Sequence, residues 1–348
     1  MPESYLTDTK IRELKGDFSS WDKYVKSHSK GTIYHLSSWK RAVENTFHLQ
    51  GRYYVLCRDE KILGVLPLFL VKTLFSGLKL VSIPFAVYGG ILANSLEIRK
   101  ELLNYAINLS KELGANHLEL RNLGSVDEEL LESDLYVTYI RELEKDDEAV
   151  LLSIPRKSRA SIRNGYKKYN LTVKVDQNLD LLFHLYSLNK RKLGSPQYPR
   201  IFFENLLIEF REQAGIMTVY TNGIPAASVL FFYYQDTILP YFSGSDDHFF
   251  HTNANNVMYY ELMKHALDKG LKYFDFGRSR KNTGSSKFKE NMGFTPMPLH
   301  YNYYLRSSEE IPDISPSNNR FQLAIKMWSH LPLPVTKFLG PKLVKYLP

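Results

Sequence analysis

Cysteine occurs once in the 348 residues, at Cys57. A lone thiol can close no internal disulfide and build no multi-cysteine zinc site. Its context, YYVLCRD, reads as a strand, which makes it a small core residue. Long apolar runs are also missing. The longest, Ile62 to Val71, is broken by Gly64 and Pro67 and falls well short of the ~20 residues needed to cross a bilayer. The opening segment, MPESYLTDTKIREL, lacks the apolar stretch of a secretory signal. These absences point to a reduced, cytoplasmic setting. His248, His251 and His265 have no carboxylate or second histidine at zincin spacing, so no metal is expected. There is no Gly-x-Gly-x-x-Gly and no P-loop, which argues against a dinucleotide or ATP site.

What is present describes a globular chain with room for two cores. Hydrophobic residues make up 44% and charged residues 24%, and 24 Tyr and 20 Phe supply flat surfaces for cores and ligands. The formal net charge is +8. Because the excess is clustered, an anionic partner is expected.

Two stretches share one order of elements. The first starts with YYVLCRDEKILGVLPLFLV, two apolar strands around the polar turn Asp59-Glu60-Lys61. The strand LKLVSIPF, the pair Gly89-Gly90, a helical run SLEIRKELLNYAINLSKEL stopped at Gly114, and the strand HLELR follow. The second starts with IMTVYTNGIPAASVLFFYY, where Asn222-Gly223 is a strong hairpin signal. TILPYFSG, a helix through NNVMYYELMKHALDK stopped at Gly270, and KYFDFG come next. Anchoring on the stop glycines pairs Glu119 with Asp275 and Arg121 with Gly277. The fold class is therefore α/β (α+β), two tandem copies of a mixed sheet flanked by helices. The boundary is placed in the charged RELEKDDEA: residues 1–145 form the first domain, 146–306 the second, and 307–348 a basic, apolar tail.

Two basic clusters carry the candidate chemistry. RSRKNTGSSKFK holds Arg278, Arg280, Lys281, Lys287 and Lys289 with no acid. It follows the strand FDF, a favoured ligand position in α/β sheets. With Thr283-Gly284-Ser285-Ser286 it reads as a loop able to hold phosphates; a solvated basic loop is the plain alternative. RKSRASIRNGYKK places Arg156, Arg159 and Arg163 at i, i+3 and i+7, on one helix face. That face could grip the phosphates of a sugar nucleotide, coenzyme A or tRNA, or simply be solvated. Asp275 ends a buried strand, where it could orient an arginine or accept a proton. Gly277 permits a sharp exit from that strand. Tyr88-Gly89-Gly90 and Tyr241-Phe242-Ser243-Gly244 follow equivalent strands, a setting that suits a substrate cleft or core packing.

The segments LPLFLVKTLFSGLKLVSIPFAVYGGIL, PRKSRASIR and FDFGRSRKNTGSSKFKENMGF, matched in this order along the chain, resemble the FemAB-related, Fem-type N-acyltransferases, and most closely those associated with exosortase and exopolysaccharide systems. The resemblance implies two GNAT-like domains with the active site in the second. It implies transfer of an acyl or aminoacyl group from acyl-CoA or aminoacyl-tRNA, as co-substrate rather than tightly bound cofactor, onto an amine of an envelope or exopolysaccharide precursor. Within the Phe288-Lys289 pair it makes Lys289 the catalytic cation, with Phe288 as its shield. It also draws Arg156, Arg159 and Arg163 into substrate binding, with Tyr88 and Tyr241 on the acceptor side. Two departures stand out: the helical arm inserted in many tRNA-using Fem proteins is missing, and Met292 stands where the family usually has Trp.

Other classes stay open: a non-catalytic accessory protein that binds a glycan precursor, and an RNA-binding protein, though no RNA motif is visible. The expected partners are an anionic small molecule or precursor and tRNA, and no DNA. From Arg320 onward the tail carries five basic residues and no acid. Phe321, Leu323, Met327, Trp328, Leu331, Phe338, Leu339 and Leu343 alternate with them. Such a segment suits peripheral contact at the inner face of a membrane, or folds back on the domains.

Overall fold

The computed structural model describes residues 8–74, 77–123, 130–307, 311 and 319–347; the side chains of Asn319, Arg320 and Phe321 lie outside the described residues. The chain forms two compact units. Unit 1 holds Met1–Asp134, Leu299–Ile314 and Lys345–Pro348, and unit 2 holds Leu135–Pro298 and Ser315–Val344.

Unit 1 is built on a hairpin of β2 (Gly51–Arg58) and β3 (Lys61–Lys72), with β1 (Lys10–Glu13) beside β2. The hairpin turn is two residues, Asp59 and Glu60, both at positive φ (47° and 62°), the conformation that matches the twist of the flanking strands. β4 (Leu78–Val81) follows, and the short β5 (Leu92–Ala93) also pairs with β3. Helices α1 (Ser19–Ser27) and α2 (Ser37–Phe47) precede the hairpin. Helix α3 (Leu96–Glu112), capped by Ser95, crosses to β6 (His117–Asn122), which pairs parallel with β4. Ile98, Leu102, Ala106 and Leu109 repeat at helical spacing and pack with Leu56, Leu66, Leu68 and Leu80 of the sheet. Burying a large aliphatic side chain contributes about 1.5–3 kcal/mol each. The sheet also contains β7 (Leu131–Ser133).

Unit 2 repeats the plan. β11 (Ala214–Thr221) and β12 (Ile224–Tyr234) form a hairpin around Asn222-Gly223. β13 (Thr237–Ser245), α8 (Ala254–Asp268) and β14 (Tyr273–Asp275) follow, with β13 and β14 parallel. The sheet order is β10-β11-β12-β13-β14-β9, with β9 (Ile140–Glu142) and β10 (Leu171–Val175) at the edges. A second small sheet joins β8 (Tyr136–Thr138), β15 (Ser279–Arg280) and β16 (Met297–Pro298). The helices are α4 (Asp147–Ser153), α5 (Arg156–Tyr169), α6 (Leu179–Lys192), α7 (Arg200–Phe210), α8, α9 (Gly284–Asn291), α10 (Asn319–His330) and α11 (Leu333–Val344). The rigid Ser195-Pro196 and Tyr198-Pro199 segment connects α6 to α7. The chain's last strand, β17 (His300–Leu305), returns to unit 1 and lies between β6 and β7.

The expected pair of mixed-sheet copies is thus the observed architecture, and its register agrees with the glycine anchors. Gly114 and Gly270 end their helices at φ 67° and 71°. In each copy the glycine and the next residue donate to carbonyls of the last helical turn: Gly114 to Lys111 and Ala115 to Ser110, Gly270 to Leu267 and Leu271 to Ala266. This double bond pattern satisfies otherwise orphaned carbonyls. The anchors align His117 with Tyr273. In the sheets these residues face Lys79 and Thr237.

Two local expectations are corrected. Arg278 to Lys289 is not a loop throughout: β15 covers Ser279–Arg280, and α9 begins at Gly284. Thr283 caps that helix, accepting from the Ser286 N–H at 3.3 Å and donating to the Arg280 carbonyl at 2.8 Å. One backbone donor of the expected phosphate cradle is therefore already occupied. Nor do the two tyrosines follow equivalent strand ends. β4 stops at Val81, well before Tyr88, whereas β13 continues to Ser245 because β12 pairs with it as far as Ala227↔Ser245. Tyr241 consequently lies inside a strand.

Candidate active site

The site is built where β14 leaves the sheet of unit 2. Pairing between β13 and β14 covers Thr237↔Tyr273 and Ile238↔Phe274, while β13 runs on against β12. The crevice beyond the carboxyl ends of parallel strands is a favoured ligand position. β13 carries a bulge: Leu230 faces Phe242 and Phe231 faces Pro240, so Tyr241 is the extra residue. Bulges re-aim side chains at such places.

Asp275, buried at the end of β14, accepts a hydrogen bond from the Gly277 N–H at 2.8 Å. Gly277 takes φ +70°, which turns the chain sharply out of the strand as expected. The turn exposes two carbonyls, and Lys289 fills the space. Its Nζ donates to the Gly277 carbonyl at 2.8 Å and to the Arg278 carbonyl at 3.1 Å. The same Nζ lies 5.3 Å from the ring centres of both Tyr139 and Phe276, within reach of a cation–π attraction. Lys289 is only 7% exposed, so it is not the surface lysine that a solvated basic run would give. Burial lowers its pKa to about 7; Asp275 works against that shift and Arg278 adds to it. At neutral pH the ammonium and the free amine are both populated.

Phe288, half-buried, packs beside Tyr259 and Phe276, with centroids 5.6 and 6.3 Å away. Arg278 stacks 4.6 Å over Tyr136. Asp275, Arg278, Phe288 and Lys289 therefore gather in one place. Arg280 is half-buried in β15 and Lys287 is exposed on α9.

Arg156, Arg159 and Arg163 do lie on one helix, α5, with Arg156 and Arg163 exposed and Arg159 half-buried. Among the described residues none of their side chains makes a hydrogen bond or ion pair. The opposite face of α5 buries Ser158, Ile162 and Gly165, so the helix is held by small and apolar contacts and its cations stay available. Tyr88, in unit 1, is buried against Tyr34. Tyr241 is half-buried between Phe232 and Phe242, with centroids 5.9 and 4.5 Å away.

Sequence reading missed the groups that hold Lys289 in place. The buried Tyr139 hydroxyl bonds Ser286 at 2.6 Å and donates to Glu290 at 3.0 Å, and Ser286 also donates to Glu290 at 2.9 Å. This network ties α9 to the segment between β8 and β9. Lys190 on α6 was missed too; burial lowers its pKa, helped by the charge of Arg278. Nothing in LNKRK distinguishes Lys190 from solvated neighbours. Ser286 and Glu290, four apart on one turn, were the one legible hint.

Comparison with known proteins agrees with this architecture. Residues 156–290 match the family model described as an acetyltransferase (GNAT) domain. The matched segment lies in the unit that carries Lys289, and it is similar to a GNAT acetyltransferase domain. The chain is similar in structure to FemX, with 15% identity, 90% of this chain and all of that one covered, and a TM-score of 0.64. It is also similar to a tandem GNAT protein from the clavulanic acid biosynthesis pathway (10% identity, 87% and 100% covered, TM-score 0.55). A third similar structure is L-PGS from Bacillus licheniformis (13% identity, 94% and 97% covered, TM-score 0.52). At these identities the likeness is one of fold, and the fold is a pair of tandem GNAT-like units. Comparison with curated proteins gives no match.

Proposed function

We propose that this chain is an N-acyltransferase or aminoacyltransferase. In this reading it moves an acyl group from a thioester (acyl-CoA) or an aminoacyl-tRNA onto an amine of a cell-envelope or exopolysaccharide precursor. The observation that carries the reading is the buried Lys289, whose pKa is lowered to about 7 beside Asp275 at the end of β14. Unlike the buried Lys79, which pairs with Glu119, Lys289 has only backbone carbonyls as direct partners among its hydrogen bonds, and perturbed groups cluster at working sites.

The chemistry needs two services. As the acceptor nitrogen attacks the donor carbonyl, an N–C bond forms and the carbonyl oxygen gains negative charge. The Lys289 ammonium, two of its protons held by fixed carbonyls, offers its third to that oxygen. Collapse then breaks the C–S bond of a thioester or the C–O bond of an ester, and the departing sulfur or oxygen takes up the proton that the amine gives up. The acceptor amine must also lose a proton, and Asp275 is the nearby carboxylate suited to take it. Arg278, Arg280 and Lys287 supply positive charge for donor phosphates, and Arg156, Arg159 and Arg163 extend that field. Tyr241 serves the acceptor, whereas Tyr88 packs in the core of unit 1.

The test is to incubate the full chain with acyl-CoAs or charged tRNAs and amino-sugar nucleotide acceptors, and to follow products by mass spectrometry. An acylated acceptor that forms with wild type and not with Lys289→Met supports the reading. Equal turnover by the folded variant refutes the role of Lys289. No product from any donor–acceptor pair favours the accessory binding protein.

A further inference from the structure

The last two helices of unit 2 are amphipathic in the wrong sense for a soluble surface. Both pack on α6. Their inward contacts are small or few: Ile325 lies against Gly194, and Gly340 approaches Gln197 so closely that a Cβ there would sit 2.9 Å from its Cγ. Thr336 and Val344 complete the buried face of α11. The opposite face should then be polar. Instead Val335, Phe338 and Leu339 are exposed, and with Lys342 they stand at i, i+3, i+4 and i+7, one stripe of the helix. On α10, Leu323 and Met327, four apart, are 70% and 64% exposed, and Phe338 is 64% exposed. Single exposed apolar side chains are ordinary, but five in two consecutive helices are not.

The charge that this segment itself carries has one sign. Residues 319–348 contain no Asp or Glu, while Lys326 and Lys342 are exposed between the apolar positions and Lys337 is half-buried. Lys342 Nζ lies 3.8 Å over the Phe338 ring, so its ammonium sits on the aromatic face in a cation–π contact beside the stripe. Neither helix spans a bilayer: each has 12 residues, and α11 contains Pro341.

We infer that α10 and α11 form a peripheral docking surface for an anionic lipid bilayer. Leu323, Met327, Val335, Phe338 and Leu339 would enter the headgroup–acyl boundary, and the lysines would remain at the phosphates. Apolar groups on helices whose only charged residues are cations complement a surface that is greasy below and uniformly negative above. A protein partner would more commonly require charges of both signs. The inference does not depend on the acyl-transfer chemistry.

The experiment is flotation of the full chain with phosphatidylcholine vesicles, with and without phosphatidylglycerol. Wild type is expected to float with the anionic vesicles, to release as salt rises, and to ignore pure phosphatidylcholine. The triple variant Val335→Ser/Phe338→Ser/Leu339→Ser, checked by thermal unfolding, is expected to bind at least about tenfold more weakly. Lys326→Gln and Lys342→Gln, which leave the apolar stripe intact, are each expected to weaken binding by about fivefold. Failure of wild type to float with anionic vesicles overturns the inference. So does unchanged flotation of these variants. A dimer that the triple variant dissociates, without lipid binding, would make a second copy the occupant and also overturn it.

Discussion

Glu119 and Asp275 stand at the same position of the same strand in the two copies, but each copy draws the cations at that position from different elements. Glu119 accepts from Lys79 Nζ at 2.8 Å and from Arg121 Nε at 2.7 Å, all three buried. The equivalents of Lys79 and Arg121 in unit 2 are Thr237 and Gly277. One copy spends its carboxylate on structure. In the other, the cation near the carboxylate comes from α9, as Lys289.

Glu119→Gln should therefore destabilise unit 1 by about 3–5 kcal/mol, because two buried cations lose their counter-charge. Burial pushes the Glu119 carboxyl up, but Lys79 and Arg121 outweigh it and hold it well below the usual range. Its folded value is thus depressed. The stability it contributes is present above the ordinary carboxylate pKa of about 4.3 and is lost as pH falls toward the folded value. Denaturant unfolding at several pH values should show this acid loss in wild type and a smaller one in Glu119→Gln.

Lys289→Met should lower kcat/KM by at least about a hundredfold, the scale of a lost oxyanion donor. The two carbonyls it leaves unpaired should also cost about 1–3 kcal/mol of stability. Steady-state kinetics on protein shown to be folded at the assay temperature separates the two effects. Lys289→Arg should retain more activity than Lys289→Met.

The pH dependence of Lys289 has opposite signs for stability and activity. Its folded pKa is about 7, against about 10.4 for an unperturbed lysine. Between those values the unfolded chain holds a proton that the folded chain has released, so this group's contribution to stability rises with pH. The working cation is lost over the same window, so kcat/KM should decline above about pH 7. Lys289→Arg should abolish that decline. A profile flat from neutral to alkaline pH in wild type would exclude the cationic role.

Replacing Arg156, Arg159 and Arg163 together with Gln should leave stability nearly unchanged, since none is paired among the described residues. KM for a phosphate-bearing donor should rise about tenfold or more, and its salt dependence should weaken. A change confined to kcat would argue against a binding role.

Local signals carried the hairpins and the helix ends: Asn222-Gly223, Gly114 and Gly270 each impose a backbone conformation that few neighbours could override. The site was legible only in part. Lys289 was found by resemblance, but its burial depends on Tyr139, 150 residues earlier, and no periodicity reports such a contact. Residues 278–289 read as loop because Gly and Ser are poor helix formers, whereas Thr283 and the Ser286–Glu290 pair hold the short helix in place. The same limit applies to β17, whose run HYNYYL looks like a strand but does not announce its neighbours.

That strand has a consequence for how the chain is made. His300 pairs with Asn122 and Leu305 with His117, so the sheet of unit 1 lacks its inner strand until the ribosome has passed residue 305. All of unit 2's sheet strands precede it in synthesis. The sheet that begins first must finish last, leaving β6 as a bare edge throughout elongation. A chain truncated before residue 300 should accordingly yield a unit 2 sheet that is complete and a unit 1 that aggregates through β6.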